Sequence, residues 1–122
     1  VLAIGVAAIA LAGTGCRGGR ADAGYDVPTG GDPHRGAVAI RNANCGSCHT
    51  IPGIREANGV VGPPLFFFSR RTFIAGLLPN TPANLVQWVM DPRSIEPRTA
   101  MPKLDLTERQ ARDIAAYLYT LR

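Results

Sequence analysis

Histidine and cysteine are scarce in this 122-residue chain, which has only His34 and His49, and Cys16, Cys45 and Cys48. Lysine is scarcer still: Lys103 stands alone beside twelve arginines, against nine acidic residues spread through the sequence. A formal charge of +4 distributed in this way forms no basic stripe with interleaved aromatics, which argues against nucleic acid as a partner. A solvated surface is the ordinary role for the arginines, and pairing with anionic groups on a buried ligand is the sharper one. No internal repeat is visible. The apolar run Val1–Ala12 covers twelve residues, too short to span a bilayer comfortably unless others precede it.

Glycine and proline are plentiful instead, at 14 and 10 residues, so loops must occupy much of the chain. The globular part amounts to about 90 residues, a marginal size for a core made of side chains alone. A loop-rich domain of that size is expected to need a staple or a filler of another kind.

Three parts follow one another. Residues 1–16 read as an export segment with three competing fates. It could be cleaved after Ala10-Leu11-Ala12 or kept as an uncleaved membrane anchor. It could also be processed as a bacterial lipoprotein signal, Leu11-Ala12-Gly13-Thr14-Gly15-Cys16, in which Cys16 becomes the lipidated first residue. Each fate places the remainder outside the cytoplasm, at the periplasmic face of a bacterial inner membrane. Residues 17–31 hold five glycines and Pro28 without apolar periodicity, and read as a flexible linker with a reach of roughly 20 Å. Residues 32–122 form the domain.

Within the domain only helices are expected, which makes the fold class all-α. Asp32-Pro33 supplies an N-cap and a first-turn proline, and Gly36, Ala37 and Ile40 share one face of a helix running to about Asn44. Glycine and proline punctuate residues 50–80, leaving room for a short helical turn around Phe66 to Ala75. Thr81-Pro82 opens a second helix that Asp91-Pro92 ends. Thr107 and Gln110 form a capping box for the last helix. That helix carries Ile114, Leu118 and Leu121 inward, with Glu108, Arg109, Arg112 and Asp113 largely outward.

Two of the three cysteines and one of the two histidines crowd into Asn44-Cys45-Gly46-Ser47-Cys48-His49-Thr50. A zinc site would need two further ligands, and Cys16 and His34 are badly placed to supply them. A thioredoxin-like dithiol would be expected beside a βαβ pattern, which is missing. Cys-x-x-Cys-His points to covalent haem: the two thiols add to the haem vinyl groups, and the adjacent histidine is delivered to the iron. The candidates for the sixth iron position are Met101, Met90, His34 or nothing. Met101 lies in a loop between Pro97 and Pro102 that leaves its thioether free to approach the iron, and the position is assigned to it. Met90 falls near a helix end where core packing is the ordinary role, and His34 in a first turn on the surface.

In sequence order, "GDPHRGAVAI", "CGSCHT", "GPPL", "RTAMP" and "DIAAYLYTLR" resemble the class I cytochrome c family over nearly all of residues 31–122. The resemblance implies three to five helices wrapped around one covalently bound haem c. It further implies that Gly36 lets the first and last helices cross closely, against Tyr117 and Ile114 with Ile40 alongside. Pro63 of "GPPL" would accept the imidazole N–H of His49. Trp88 would donate to the methionine or to a haem propionate, and Arg70 or Arg71 would neutralise a propionate. Phe66-Phe67-Phe68 departs from many relatives, which have smaller or polar residues there, and is expected to wall the haem pocket, with one ring exposed for docking as the alternative.

An iron saturated by His49 and Met101 has no open position for substrate, and a thioether favours the ferrous state. The expectation is therefore a one-electron carrier and not an enzyme, working through its exposed haem edge and docking transiently with redox partners. The resemblance suggests delivery to a terminal haem-copper oxidase in a respiratory chain, with a quinol-oxidising complex upstream. The alternatives are a fixed haem subunit of a larger periplasmic oxidoreductase, a peroxidase or gas-binding protein if the methionine is labile, and an unhaemed dithiol.

Overall fold

The computed structural model describes residues 27–122. The export segment, Cys16 and the first part of the linker lie outside the described residues. Helix α1 (Pro33–Asn42) begins where Asp32 accepts the Arg35 N–H at 2.8 Å, with Pro33 in the first turn. Thr81 caps α2 (Pro82–Met90), and Asp91 caps the single turn α3 (Pro92–Ile95). At the start of α4 (Glu108–Tyr119), Thr107 Oγ1 accepts the Gln110 N–H at 3.2 Å and Gln110 Oε1 accepts the Thr107 N–H at 2.9 Å. Such caps contribute about 1 kcal/mol each by satisfying N–H groups that no helical carbonyl reaches. Among the described residues, no helix is long and apolar enough to cross a membrane.

The principal helix pair is α1 with α4. A β-carbon on Gly36 would lie 2.0 Å from the Asp113 carbonyl oxygen and 2.9 Å from Tyr117 Cβ, so only glycine permits this crossing. Ile40, Leu85, Ala111, Ile114 and Leu118 are buried around it, and burial of each large aliphatic side chain contributes about 1.5–3 kcal/mol. Asp113, expected to face outward, is only 3% exposed. Its carboxylate accepts the Asp32 N–H at 2.7 Å and a fork from Arg35, Nε at 2.9 Å and Nη2 at 3.0 Å. That Arg35 fork, more than any other influence, holds the carboxyl below the usual carboxylate range.

Residues 29–31, expected to be linker, are seated on α4. Thr29 is buried, its carbonyl accepts Arg112 Nη1 at 3.1 Å, and a β-carbon on Gly31 would meet the Arg112 carbonyl oxygen at 2.1 Å. In the middle of the domain, the helical turn expected near Phe66–Ala75 is a 3-10 turn over Phe68–Arg70 only. It is followed by an unpredicted hairpin of β1 (Phe73–Ile74) and β2 (Leu78–Pro79), paired Phe73 to Pro79 and Ile74 to Leu78. The strands are two residues long, too short to show alternation in a sequence. Ala75 and Gly76 take positive φ at their turn, +52° and +72°.

Candidate functional site

Helix α1 stops at Asn42, two residues earlier than expected, because Asn44 turns left-handed at φ 55°. Asparagine tolerates that region well. A 3-10 turn over Cys45–Ser47 follows, and the Cys45 carbonyl accepts the N–H groups of Cys48 at 3.2 Å and His49 at 3.0 Å. The turn folds against Ala57–Gly59: a β-carbon on Gly46 would sit 2.7 Å from Ala57 Cα, and the Gly59 N–H donates to the Gly46 carbonyl at 3.0 Å. The spacing thus becomes a compact knot with both sulfurs and the imidazole at one place.

That place is the wall of a cavity of about 910 Å³, lined by Cys45, Cys48, His49, Trp88 and Met101 among mainly apolar neighbours such as Ile40, Leu85 and Leu118. The volume lies near the upper end of small-molecule and cofactor sites, roughly 300–1,000 Å³. Met101 arrives from a loop held at several points. Its N–H donates to Thr99 Oγ1 at 3.2 Å, the Arg98 N–H to Glu96 Oε1 at 3.0 Å, and Lys103 pairs with Asp91 at 2.7 Å. Met90 packs against the core without lining the cavity, and His34 is exposed.

His49 Nδ1 lies 2.7 Å from the Pro63 carbonyl oxygen. A carbonyl only accepts, so Nδ1 carries the proton and Nε2 keeps its lone pair for a metal. Gly62 is the residue that sequence reasoning missed here. A β-carbon on it would fall 2.4 Å from His49 Cε1 and 2.7 Å from Nδ1, so the imidazole lies flat against bare backbone. Its presence in the quoted "GPPL" was the available signal. Burial, above all, pushes the Cys45 thiol up, opposite to the lowered value of a reactive dithiol nucleophile.

The remaining candidates divide. Trp88 is buried on the cavity wall. Arg71 also lines the cavity, but its Nη2 donates to the carbonyls of Pro64 and Phe66, the latter at 3.3 Å, with the guanidinium over the Phe68 ring. Arg70 is not on the wall and lies over the exposed Phe67 ring at 5.5 Å. Of the three phenylalanines expected to wall the pocket, only Phe68 does so, at 5% exposure. Phe66 and Phe67 are 46% and 57% exposed, because Phe67 turns left-handed at φ 52° and sends its neighbours apart. Asn80, not anticipated, ties this segment down: its Nδ2 donates to the Phe68 and Arg71 carbonyls at 3.1 and 3.0 Å, and its Oδ1 accepts the Tyr119 hydroxyl at 2.9 Å. Burial pushes the Tyr119 hydroxyl up to about 12, which keeps it a donor.

Residues 34–122 match the protein-family model described as Cytochrome c. The chain belongs to the cytochrome c family. The mainly helical fold with one small hairpin agrees with that membership. The family implies covalently bound haem c with iron, and this structure fits the group. It has a largely apolar cavity, two free thiols and one imidazole on its wall, and a glycine cradle where a side chain would collide. This cytochrome c domain is accordingly a haem electron carrier. It is 32% identical over 98 residues to cytochrome c oxidase subunit 2 of Alkalihalophilus pseudofirmus (strain ATCC BAA-2126 / JCM 17055 / OF4), covering 80% of this chain and 28% of that protein. It is 35% identical over 88 residues to the same-named subunit of Bacillus sp. (strain PS3), covering 69% and 25%. With the Bacillus subtilis (strain 168) subunit it shares 34% over 83 residues, covering 63% and 23%. The chain thus spans about a quarter of the length of these relatives.

These names correct the expectation of a carrier that is not an enzyme, because the relatives are named as a subunit of an enzyme, cytochrome c oxidase. The haem-pocket residues read the same in a free carrier and in a domain of an enzyme subunit, so nothing in the motifs could tell the two apart.

Proposed function

We propose that the domain passes single electrons into a respiratory terminal oxidase as part of the oxidase assembly. Cys45 and Cys48 would hold one haem c through their sulfurs, and His49 and Met101 would ligate its iron. The observation that carries this reading is that Cys45, Cys48, His49 and Met101 share one cavity wall, from which Met90 and His34 are absent. The similarity to proteins named cytochrome c oxidase subunit 2 supports the oxidase as electron acceptor. A quinol-oxidising complex is the proposed upstream donor. The proposed location is the periplasmic face of a bacterial inner membrane, with anchorage through residues 1–16 or a lipid on Cys16.

When bound, haem c supplies one-electron iron chemistry. The protein's part is to hold and to insulate. Pro63 orients the imidazole and raises its basicity through the Nδ1 hydrogen bond. Ile40, Leu85 and Leu118 keep water from the cavity wall, which disfavours charge and so favours the reduced state. The hydrogen-bonded loop around Met101 would hold its thioether toward the iron and so leave no open position for small molecules.

A spectropotentiometric titration of the haem-loaded protein, repeated under carbon monoxide, tests the ligation. One single-electron wave at clearly positive potential without a carbon monoxide adduct is expected. A low potential or a ready adduct would remove Met101 from the reading. Detergent extraction tests the partner, with co-purification alongside oxidase subunits as the expected result.

A further inference from the structure

Pro63 and Pro64 follow one another in the loop that faces His49, and neither has an N–H with which to anchor itself. The loop is tied on both sides of them: the Gly62 N–H donates to the Cys48 carbonyl at 2.8 Å, and the Leu65 N–H to the Thr50 carbonyl at 2.8 Å. Between those ties, the Pro63 carbonyl must hold its place 2.7 Å from His49 Nδ1. The Arg71 guanidinium supplies what the prolines cannot, by donating to the carbonyls of Pro64 and Phe66. The Pro64 ring locks φ, so restraint of the Pro64 carbonyl is transmitted to the adjoining peptide plane, which carries the Pro63 oxygen. Arg71 is in turn held against the Phe68 ring at 5.3 Å, and its own carbonyl is bound by Asn80.

We propose that Arg71 is a positioning residue for His49, acting through the Pro63–Phe66 loop. The propionate role implied by family resemblance uses the fork as well, but on a carboxylate, and acts on the charge around the haem. The loop role needs its fork, because two carbonyls must be met at once. This inference rests on the reading of His49 as an iron ligand.

Arg71→Lys loses the fork in either role, and the readouts separate the two: a weakened propionate pair lowers the potential and leaves His49 Nδ1 exchange alone, whereas a loosened loop speeds that exchange and raises the potential. In the reduced, haem-loaded variant, hydrogen exchange at His49 Nδ1, followed by NMR, is expected to be about tenfold faster than in wild type, the equivalent of one ordinary hydrogen bond. The reduction potential is expected to rise, because a less basic imidazole stabilises the ferric state less. Wild-type exchange and potential in a folded Arg71→Lys protein would overturn the proposal. If the variant fails to fold, the wild type still decides: separate, slowly exchanging Arg71 Nη protons with nuclear Overhauser contacts to Pro64 and Phe66 support the clamp, and one averaged, fast-exchanging signal sinks it. Absence of a haem-shifted His49 Nδ1–H signal in the wild type would instead overturn the ligand reading, and this inference with it.

Discussion

Gly36 and Asp113 meet backbone to backbone: a β-carbon on the glycine would come within 2.0 Å of the aspartate's carbonyl oxygen. Gly36→Ala must therefore push α1 off α4 and open the core between them. A loss of about 3 kcal/mol or more is expected, at the upper end of overpacking costs because backbone cannot rotate out of the way. Chemical denaturation of the haem-loaded variant checks this, and an unchanged midpoint would contradict the crossing.

Asp113 gives the same interface a pH dependence. Its carboxyl is held below its unfolded value, chiefly by the hydrogen bonds from Arg35, so the stabilisation is complete above the ordinary carboxylate range. It is lost as pH falls through the lowered folded value. Asp113→Asn should be less stable than wild type at neutral pH by about 2 kcal/mol, and the gap should close in acid. Paired denaturation curves from neutral pH downward measure it.

Met101→Ala should retain covalent haem, lower the potential and admit carbon monoxide. Absorption spectra with and without the gas decide, and an unchanged spectrum and potential would exclude Met101 as ligand.

Gly62→Ala places a methyl group 2.4 Å from His49 Cε1. The ring or the Pro63 loop must shift, which weakens the Nδ1 hydrogen bond. An altered haem spectrum and faster Nδ1 exchange are expected, and wild-type values in both would show that the contact is unimportant.

The helices were legible because their signals are local: Asp32-Pro33, Thr81-Pro82 and the Thr107/Gln110 box each announce a helix start within four residues. The haem motif was legible for the same reason. What escaped depends on partners distant in sequence. Asp113 looks like a surface charge until Arg35, 78 residues away, is folded onto it. Phe67 and Phe68 are identical in composition and neighbours in sequence, yet a single left-handed turn exposes one and buries the other. Asn80 earns its role only once Phe68, Arg71 and Tyr119 surround it.

The seating of Thr29–Gly31 on α4 has a mechanical consequence. Arg112, which grips Thr29, and Ile114, which lines the cavity, are two residues apart on a helix and so point to nearly opposite sides of it. Load on Thr29 is taken up by the back of α4, where Arg112 also pairs with Glu108. The side of α4 that bears that load is therefore not the side that shapes the cavity.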